Sequence, residues 1–393
     1  MKSKAAEIVG MLDSIVVFQG VSRGAVLESL RRLLTSLPTD ERVRLYSDFV
    51  HELFMHDYDF GHYLLGAVSL DENEYITLRA KGEQIPAPLS ACVTEELKIF
   101  SELSKLTSRE LAEFTGYGGY LPMFDSTAYD FAAEYEKRAS NAERLGCGIF
   151  AENVMFRLHE GEIVPLKSPD PVTLSHLIAY ERERGRLLDN VRAFLDGRPA
   201  LNMLLYGDAG TGKSSTVKAA ANQFAPDGLR LIEIKKEQIR ELPHLMERLR
   251  ESPLKFMIYI DDLSFGTGDD NFSSLKAILE GSASVQPKNT LICVTSNRRH
   301  LVKESFSDRE GDEVHRNDTM QEQISMSERF GLVILFAKPS KSTYLEIVHG
   351  LLDEAGIDKA DDTDVDACAF ALRKGGFTPR AAEQYVRLCM ARQ

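Results

Sequence analysis

Residues Gly207, Asp208, Ala209, Gly210, Thr211, Gly212, Lys213 and Ser214 spell G-x-x-x-x-G-K-S, between the apolar run 201–206 and the helix-forming stretch 215–224. Each residue type has a task in holding phosphate. The glycines reach backbone angles closed to other residues, so successive N–H groups can curl round an anion. Ser215 opens the helix that follows, whose N-terminal end adds positive potential. Lys213 can reach β- and γ-phosphate oxygens, and Ser214 offers a hydroxyl to Mg2+. The motif predicts a site for ATP and Mg2+.

Two carboxylates follow. The apolar strand 256–260 ends in Asp261 and Asp262. A buried strand has no use for acids, so this pair belongs at the carboxyl edge of a sheet, where α/β folds bind ligands. Asp261 suits Mg2+ coordination, directly or through water, and Asp262 suits polarisation of an attacking water. The next strand candidate runs into Asn297, whose amide can orient that water against the γ-phosphate. Arg329 precedes the last strand candidate. It is badly placed for the phosphates of its own subunit and well placed at a subunit edge, where it could stabilise transition-state charge in a neighbour. The expected catalytic set is therefore Lys213, Asp262, Asn297 and Arg329, with Ser214 and Asp261 for the metal.

Something must hold these groups together. Five apolar segments, 201–206, 229–234, 256–260, 291–295 and 332–336, alternate with helix- or loop-forming sequence. Such alternation predicts an α/β fold with a five-stranded parallel sheet and helices on both faces. One helix is expected over 174–197, closed by Gly197, and a small all-helical tail follows the last strand. Upstream, Leu27, Leu30, Leu33, Leu34 and Leu37 form a helical stripe, as do Leu97, Phe100, Leu103 and Leu106. Val154, Phe156 and Leu158 alternate towards Glu160-Gly161 and predict a short hairpin. The proline-rich stretch 165–171 reads as a boundary. The expected organisation is a mainly helical domain over 1–168, an α/β nucleotide-binding core over 169–338 and a helical lid over 339–393.

Composition narrows the partners. A net charge of −13 over 393 residues opposes non-specific attraction to nucleic acid or an anionic membrane. Five scattered cysteines without a C-x-x-C pair fit reduced thiols, and no apolar run is long enough to span a bilayer. The expectation is a cytoplasmic protein with no membrane partner. His51 and His56 are five apart and diverge by roughly 140° on a helix, which argues against a zinc pair. The glycine–tyrosine stretch 116–120 lacks a lysine and reads as a turn, and the acidic stretch 303–328 as a solvated or inter-subunit loop.

The order of P-loop, Asp-Asp strand, asparagine-ended strand, arginine before the fifth strand and helical lid resembles the AAA+ ATPases. The resemblance covers residues 174–392. The segments 204–208, 275–281, 295–301 and 327–332 look like a bacterial AAA+ family of unassigned function, related in style to initiator and loader ATPases. It implies Asn297 as sensor 1, Arg329 as arginine finger, and Arg380, in Gly-Gly-Phe-Thr-Pro-Arg, as a sensor 2 arginine touching the γ-phosphate. Pro379 stands where the family more often has glycine. Thr378 and Pro379 also read as a plain helix start. Leu177-Ile178-Ala179-Tyr180 resembles the segment that packs on adenine, with Ala179 in place of the usual glycine. Leu177 and Ile178 either line a base pocket or are ordinary core.

These readings converge on an ATP-binding and ATP-hydrolysing protein. ATP would sit between core and lid, and subunits would form a homo-oligomeric ring, a hexamer being one form. The work would be done on an unidentified protein or nucleic-acid client chosen by the N-terminal domain. The alternative is a nucleotide-gated switch with slow turnover, which Asp262, one methylene shorter than Glu, permits. A small-molecule kinase is disfavoured, because no acceptor pocket is legible.

Overall fold

The computed structural model describes residues 2–37, 41–265, 269–280, 286–297 and 329–391. The chain divides into two units, Met1–Glu152 and Asn153–Gln393. Each closes round its own apolar core.

The first unit is helical. In the helix Ala25–Thr35, Leu27, Leu30, Leu33 and Leu34 are buried, while Leu37 lies beyond the helix end and is exposed. Leu97, Phe100, Leu103 and Leu106 are all buried, the first three on the helix Ala87–Leu103. That helix also buries Glu96, whose carboxylate accepts the N–H groups of Val16, Val17 and Phe18 at 2.8–3.0 Å. A buried charge is tolerable only with such partners. Thr107 and Glu110 form a capping box on the helix Ser108–Thr115, and Gly116 ends it in the left-handed region at φ 71°. The chain then returns along the helix Glu41–Phe54. Arg42 donates to the Phe114 carbonyl at 3.0 Å, and the Tyr46 hydroxyl to that of Pro122 at 2.6 Å. The N–H of Asp125 meets the Tyr58 carbonyl at 3.0 Å, and the N–H of Phe60 the Asp125 carbonyl at 2.8 Å.

The second unit is built on one sheet of seven strands, not five. These are β1 (Met155–His159), β2 (Glu162–Pro165), β3 (Met203–Gly207), β4 (Leu229–Ile234), β5 (Lys255–Ile260), β6 (Thr290–Ser296) and β7 (Leu332–Phe336). Their order is β2-β1-β4-β5-β6-β3-β7. The expected parallel set is the last five in this order, and the hairpin supplies the other two. β1 runs parallel to β4, Met155 facing Leu231, and β2 pairs antiparallel with β1. Of the alternating residues, Phe156 and Leu158 are buried and Val154 is half-buried, and Met155 is buried as well because β1 is a strand of this sheet. The division between units therefore falls before the hairpin, and not at the proline-rich stretch 165–171.

The central strands read as unbroken apolar runs because helices cover both faces. On one face, Leu187, Val191 and Phe194 join Val217, Ala220, Ala221 and Phe224 over β3, β4 and β5. The expected helix over 174–197 is interrupted. A 3-10 turn spans Leu174–His176, Ala179 and Tyr180 take left-handed angles (φ 66° and 63°), and the helix proper is Glu181–Leu195. Two consecutive left-handed residues cannot continue a right-handed helix. Gly197 closes it as expected, at φ 69°. After β7 come the helices Lys341–Glu354, Thr363–Arg373 and Pro379–Met390, which pack on Tyr344, Val348, Ala367, Ala371 and Ala382. Among the described residues, no helix is long and apolar enough to cross a membrane.

Candidate nucleotide site

Strands β5, β6 and β3 are neighbours, so the ends of all three meet at one edge of the sheet. The P-loop follows β3, Asp261 and Asp262 follow β5, and Asn297 follows β6. Backbone geometry explains the glycines. Gly207 has φ 140°, and a Cβ there would lie 2.0 Å from the Phe336 carbonyl oxygen. Gly210 (φ 76°) faces Arg380 and Thr378, with a Cβ meeting Arg380 Cβ at 3.1 Å. Gly212 takes φ 87° and immediately precedes the helix Lys213–Phe224.

Lys213 is buried. Its Nζ donates to the carbonyls of Gly207 (2.8 Å) and Asp208 (2.7 Å) and to Asn297 Oδ1 (3.1 Å). Burial pulls its ammonium below the usual lysine value, against the opposing charges of Asp262, Asp208 and Asp261. Thr211 donates its hydroxyl to the Asp208 carbonyl at 2.9 Å and so braces the loop from within.

Asp261 is the hub. Its Oδ1 accepts from Ser214 Oγ at 2.7 Å, Tyr259 OH at 2.6 Å and Thr295 Oγ1 at 2.5 Å. Burial alone would raise this carboxyl, but the three hydroxyls and the charge of Lys218 outweigh it and hold the group below its usual value. An ionised Asp261 beside Ser214 is the donor set that Mg2+ prefers, hard oxygen on a fixed frame. Burial, and then the Asp261 charge, push the Tyr259 hydroxyl far upward, so it serves as a donor.

Asp262 sits at φ 47°, a left-handed angle that aspartate tolerates better than most residues. Its N–H donates to Thr295 Oγ1 at 2.9 Å, and its Oδ1 accepts from Asn297 Nδ2 at 2.6 Å. Asn297 thus bridges Lys213 and Asp262 through its two amide atoms.

These groups open onto a cleft of about 390 Å³ lined by Ala209, Gly210, Thr211, Gly212, Lys213, Ser214 and Ser215 on the core side. Leu177 and Ile178 line it too, with Ile347 and Leu351 of the helix Lys341–Glu354. Ile178 fits against Gly350, where a Cβ would meet its Cδ1 at 2.5 Å. Apolar side chains at one end and the phosphate cradle with its hydroxyl–carboxylate pair at the other fit a nucleoside triphosphate with a divalent cation. Arg380 also lines the cleft, and its backbone N–H donates to the Gly210 carbonyl at 3.2 Å. Thr378 caps the helix Pro379–Met390 by accepting from the N–H of Ala381, so the plain helix start holds as well.

Arg329 is not among the cleft residues. It forms an ion pair with Glu280, at the end of the helix Asp270–Leu279. Gly281, residues 298–301 of the resemblance, and the acidic stretch 303–328 lie outside the described residues.

Sequence reasoning missed Tyr259 and Thr295. Each precedes a predicted site residue by two, and side chains two apart on a strand share a face. That spacing was the available signal. Tyr180, named only as part of the segment that resembles an adenine-packing one, donates its hydroxyl to the Ala337 carbonyl at 2.6 Å while its ring packs on Phe336 at 5.4 Å.

The sheet order, the P-loop sequence beside an Asp-Asp strand and the three helices after β7 make an α/β fold with a phosphate-loop motif at its strand ends. Within it, residues 151–393 match the family described as protein of unknown function (DUF815), and the chain belongs to that family. An AAA-ATPase of Arabidopsis thaliana is 28% identical over 116 residues, 27% of this chain and 21% of that protein. The chain thus matches about a fifth of that relative's length. Solved structures that resemble it include the RuvB Holliday junction branch migration motor of Thermotoga maritima, at 14% identity and TM-score 0.37, covering 55% of this chain and 63% of that one. AMPPCP-bound DnaA from Aquifex aeolicus is similar at 17% identity and TM-score 0.39, over 56% of this chain and 65% of that one.

Proposed function

We propose that this protein binds and hydrolyses Mg·ATP and uses the cycle to remodel or load a macromolecular client as a cytoplasmic homo-oligomer. The observation that carries the reading is the connected set Ser214–Asp261 and Lys213–Asn297–Asp262 at one sheet edge. Mg2+, held through Ser214 and Asp261, would neutralise phosphate charge. Lys213 binds the β- and γ-phosphates, Asn297 and Asp262 orient and deprotonate water, and Arg380 approaches from the lid. Leu177 and Ile178 hold the base. Arg329 acts at the neighbouring subunit's site.

Asp262→Asn should keep Mg·ATP affinity and lower turnover by about 100-fold, the scale of a general base. Turnover at the wild-type rate would remove Asp262 from the mechanism. Thr295 is a positioning residue: one hydroxyl donates to Asp261 and accepts from the strained Asp262 amide. Thr295→Val should lower kcat about tenfold, the worth of roughly one hydrogen bond, with KM nearly unchanged. Thr295→Ser should restore it, and a Ser variant as slow as Val would contradict the role.

One observation favours the switch as a second reading. Asn297 holds Asp262 through Oδ1, so a shift of Asn297 changes the aim and basicity of the remaining oxygen that would take a proton from water. Partner contact that shifts Asn297 would then set the rate, and turnover measured with and without a client separates machine from switch.

A further inference from the structure

We infer that the first unit carries the client-docking face and that its occupant is a cationic protein segment interleaved with aliphatic and aromatic side chains, not nucleic acid. This deepens the reading above and rests on its claim that a macromolecular client exists. Among the described residues, Met55, Tyr58, Tyr117, Tyr120 and Met123 are five of the nine large apolar side chains this unit exposes, each between 52% and 87%. They fall on two segments joined by the backbone pairing of Asp125 with Tyr58 and Phe60. Tyr58 is further braced edge-on by Phe54, ring centroids 5.2 Å apart. Scattered exposed apolar residues need no explanation, but the pairing at Asp125 brings the chain next to Met123 up to that of Tyr58, and exposed apolar side chains gathered on joined segments are what a binding surface offers.

Charge selects the occupant. Residues 41–63 and 113–130 carry eight carboxylates, Glu41, Asp48, Glu52, Asp57, Asp59, Glu113, Asp125 and Asp130, against two guanidiniums. Of those two, Arg42 is buried over the Phe114 ring and Arg44 is paired with Glu41. Exposed tyrosines could stack on bases, but a polyanion gains affinity by releasing counterions to cationic side chains, and these two segments have almost none to offer. Lysine and arginine side chains gain from both the carboxylates and the tyrosine faces.

The test uses the full chain and a fluorescein-labelled peptide alternating Lys or Arg with Leu or Tyr. The same peptide with Glu at every basic position, and a mixed-sequence single-stranded oligonucleotide, serve as competitors of other chemistry. The cationic peptide should bind best, and more weakly as ionic strength rises. Tyr58→Ser/Tyr120→Ser/Met123→Ser should weaken it at least about tenfold, as for loss of central interface anchors. Glu113→Lys/Asp125→Lys should weaken it too. Both variants should keep wild-type melting and basal ATP turnover, since the replaced side chains are exposed and lie in the other unit. Tighter binding of the oligonucleotide or the acidic peptide overturns the inference, and so does unchanged affinity in a folded triple variant. Absence of ATP turnover in the wild-type protein counts against the nucleotide reading alone.

Discussion

Lys213→Ala should lower ATP affinity by about three orders of magnitude while leaving the fold intact. The ammonium is buried at the bottom of the cradle, with donors already aimed along the loop and at Asn297. Hydrogen bonds to charged partners contribute roughly 1.5–3 kcal/mol each, so losing two of them to phosphate oxygens corresponds to about a thousandfold. In the folded protein the substitution also gives up the bonds to Gly207, Asp208 and Asn297, but it removes a buried charge at the same time. Burial disfavours the ammonium and pulls its pKa down, and relieving that desolvation offsets the lost bonds, so the fold should survive. Titration with a fluorescent ATP analogue and a melting curve on the same sample read both effects. Retained submicromolar affinity would sink the P-loop assignment.

The second large effect concerns Arg329. If it completes a neighbour's site, Arg329→Ala subunits should bind ATP normally yet turn it over at least about 10³-fold more slowly, the range seen for arginines acting in trans. Its ion pair with Glu280 offers a plainer account, in which the guanidinium merely ties the end of the helix Asp270–Leu279 to the start of β7. Mixing separates the two. An Arg329→Ala subunit keeps its P-loop and a Lys213→Ala subunit keeps its arginine, so a mixed assembly contains some complete sites. Activity should reappear on combining the two inactive proteins and should depend on total protein concentration. Co-assembled mixtures that stay inactive, or full activity in Arg329→Ala alone, would leave Arg329 as a structural tie.

Much of this site was legible in the sequence because its residues answer local demands. Gly207, Gly210 and Gly212 are where left-handed or crowded backbone requires glycine, and Asp261 and Asn297 stand just past strands whose apolar runs are unmistakable. What escaped depends on tertiary pairing. Periodicity identified the hairpin after Glu152, but only the register of Met155 with Leu231 makes β1 a member of the sheet. The break at Ala179 and Tyr180 was hidden because neither residue type signals a left-handed angle, and tertiary contacts such as the Tyr180–Ala337 hydrogen bond impose it. Ala179 explains its own oddity: φ 66° is where glycine is at ease, which fits the glycine expected there from the family resemblance. In the first unit the stretch 116–120 read only as a turn, and the pairing of Asp125 with Tyr58 and Phe60, which joins its segment to 55–60, left no signal in the sequence.

The place of β3 in the sheet has a consequence for biosynthesis. This strand lies between β6 and β7, so both of its edges are closed by segments made long after it. The first unit ends at Glu152 and has its own core, which leaves it free to fold while the second is still being made. From β3 to the end of β7, by contrast, is about 130 further residues, roughly 7–25 s on a ribosome adding about 5–20 residues per second. For that interval an apolar strand carrying the P-loop has at least one edge unpaired, which is the condition that invites misassembly and chaperone capture. Nascent chains arrested before Leu332 should therefore be unable to retain nucleotide, however complete their P-loop.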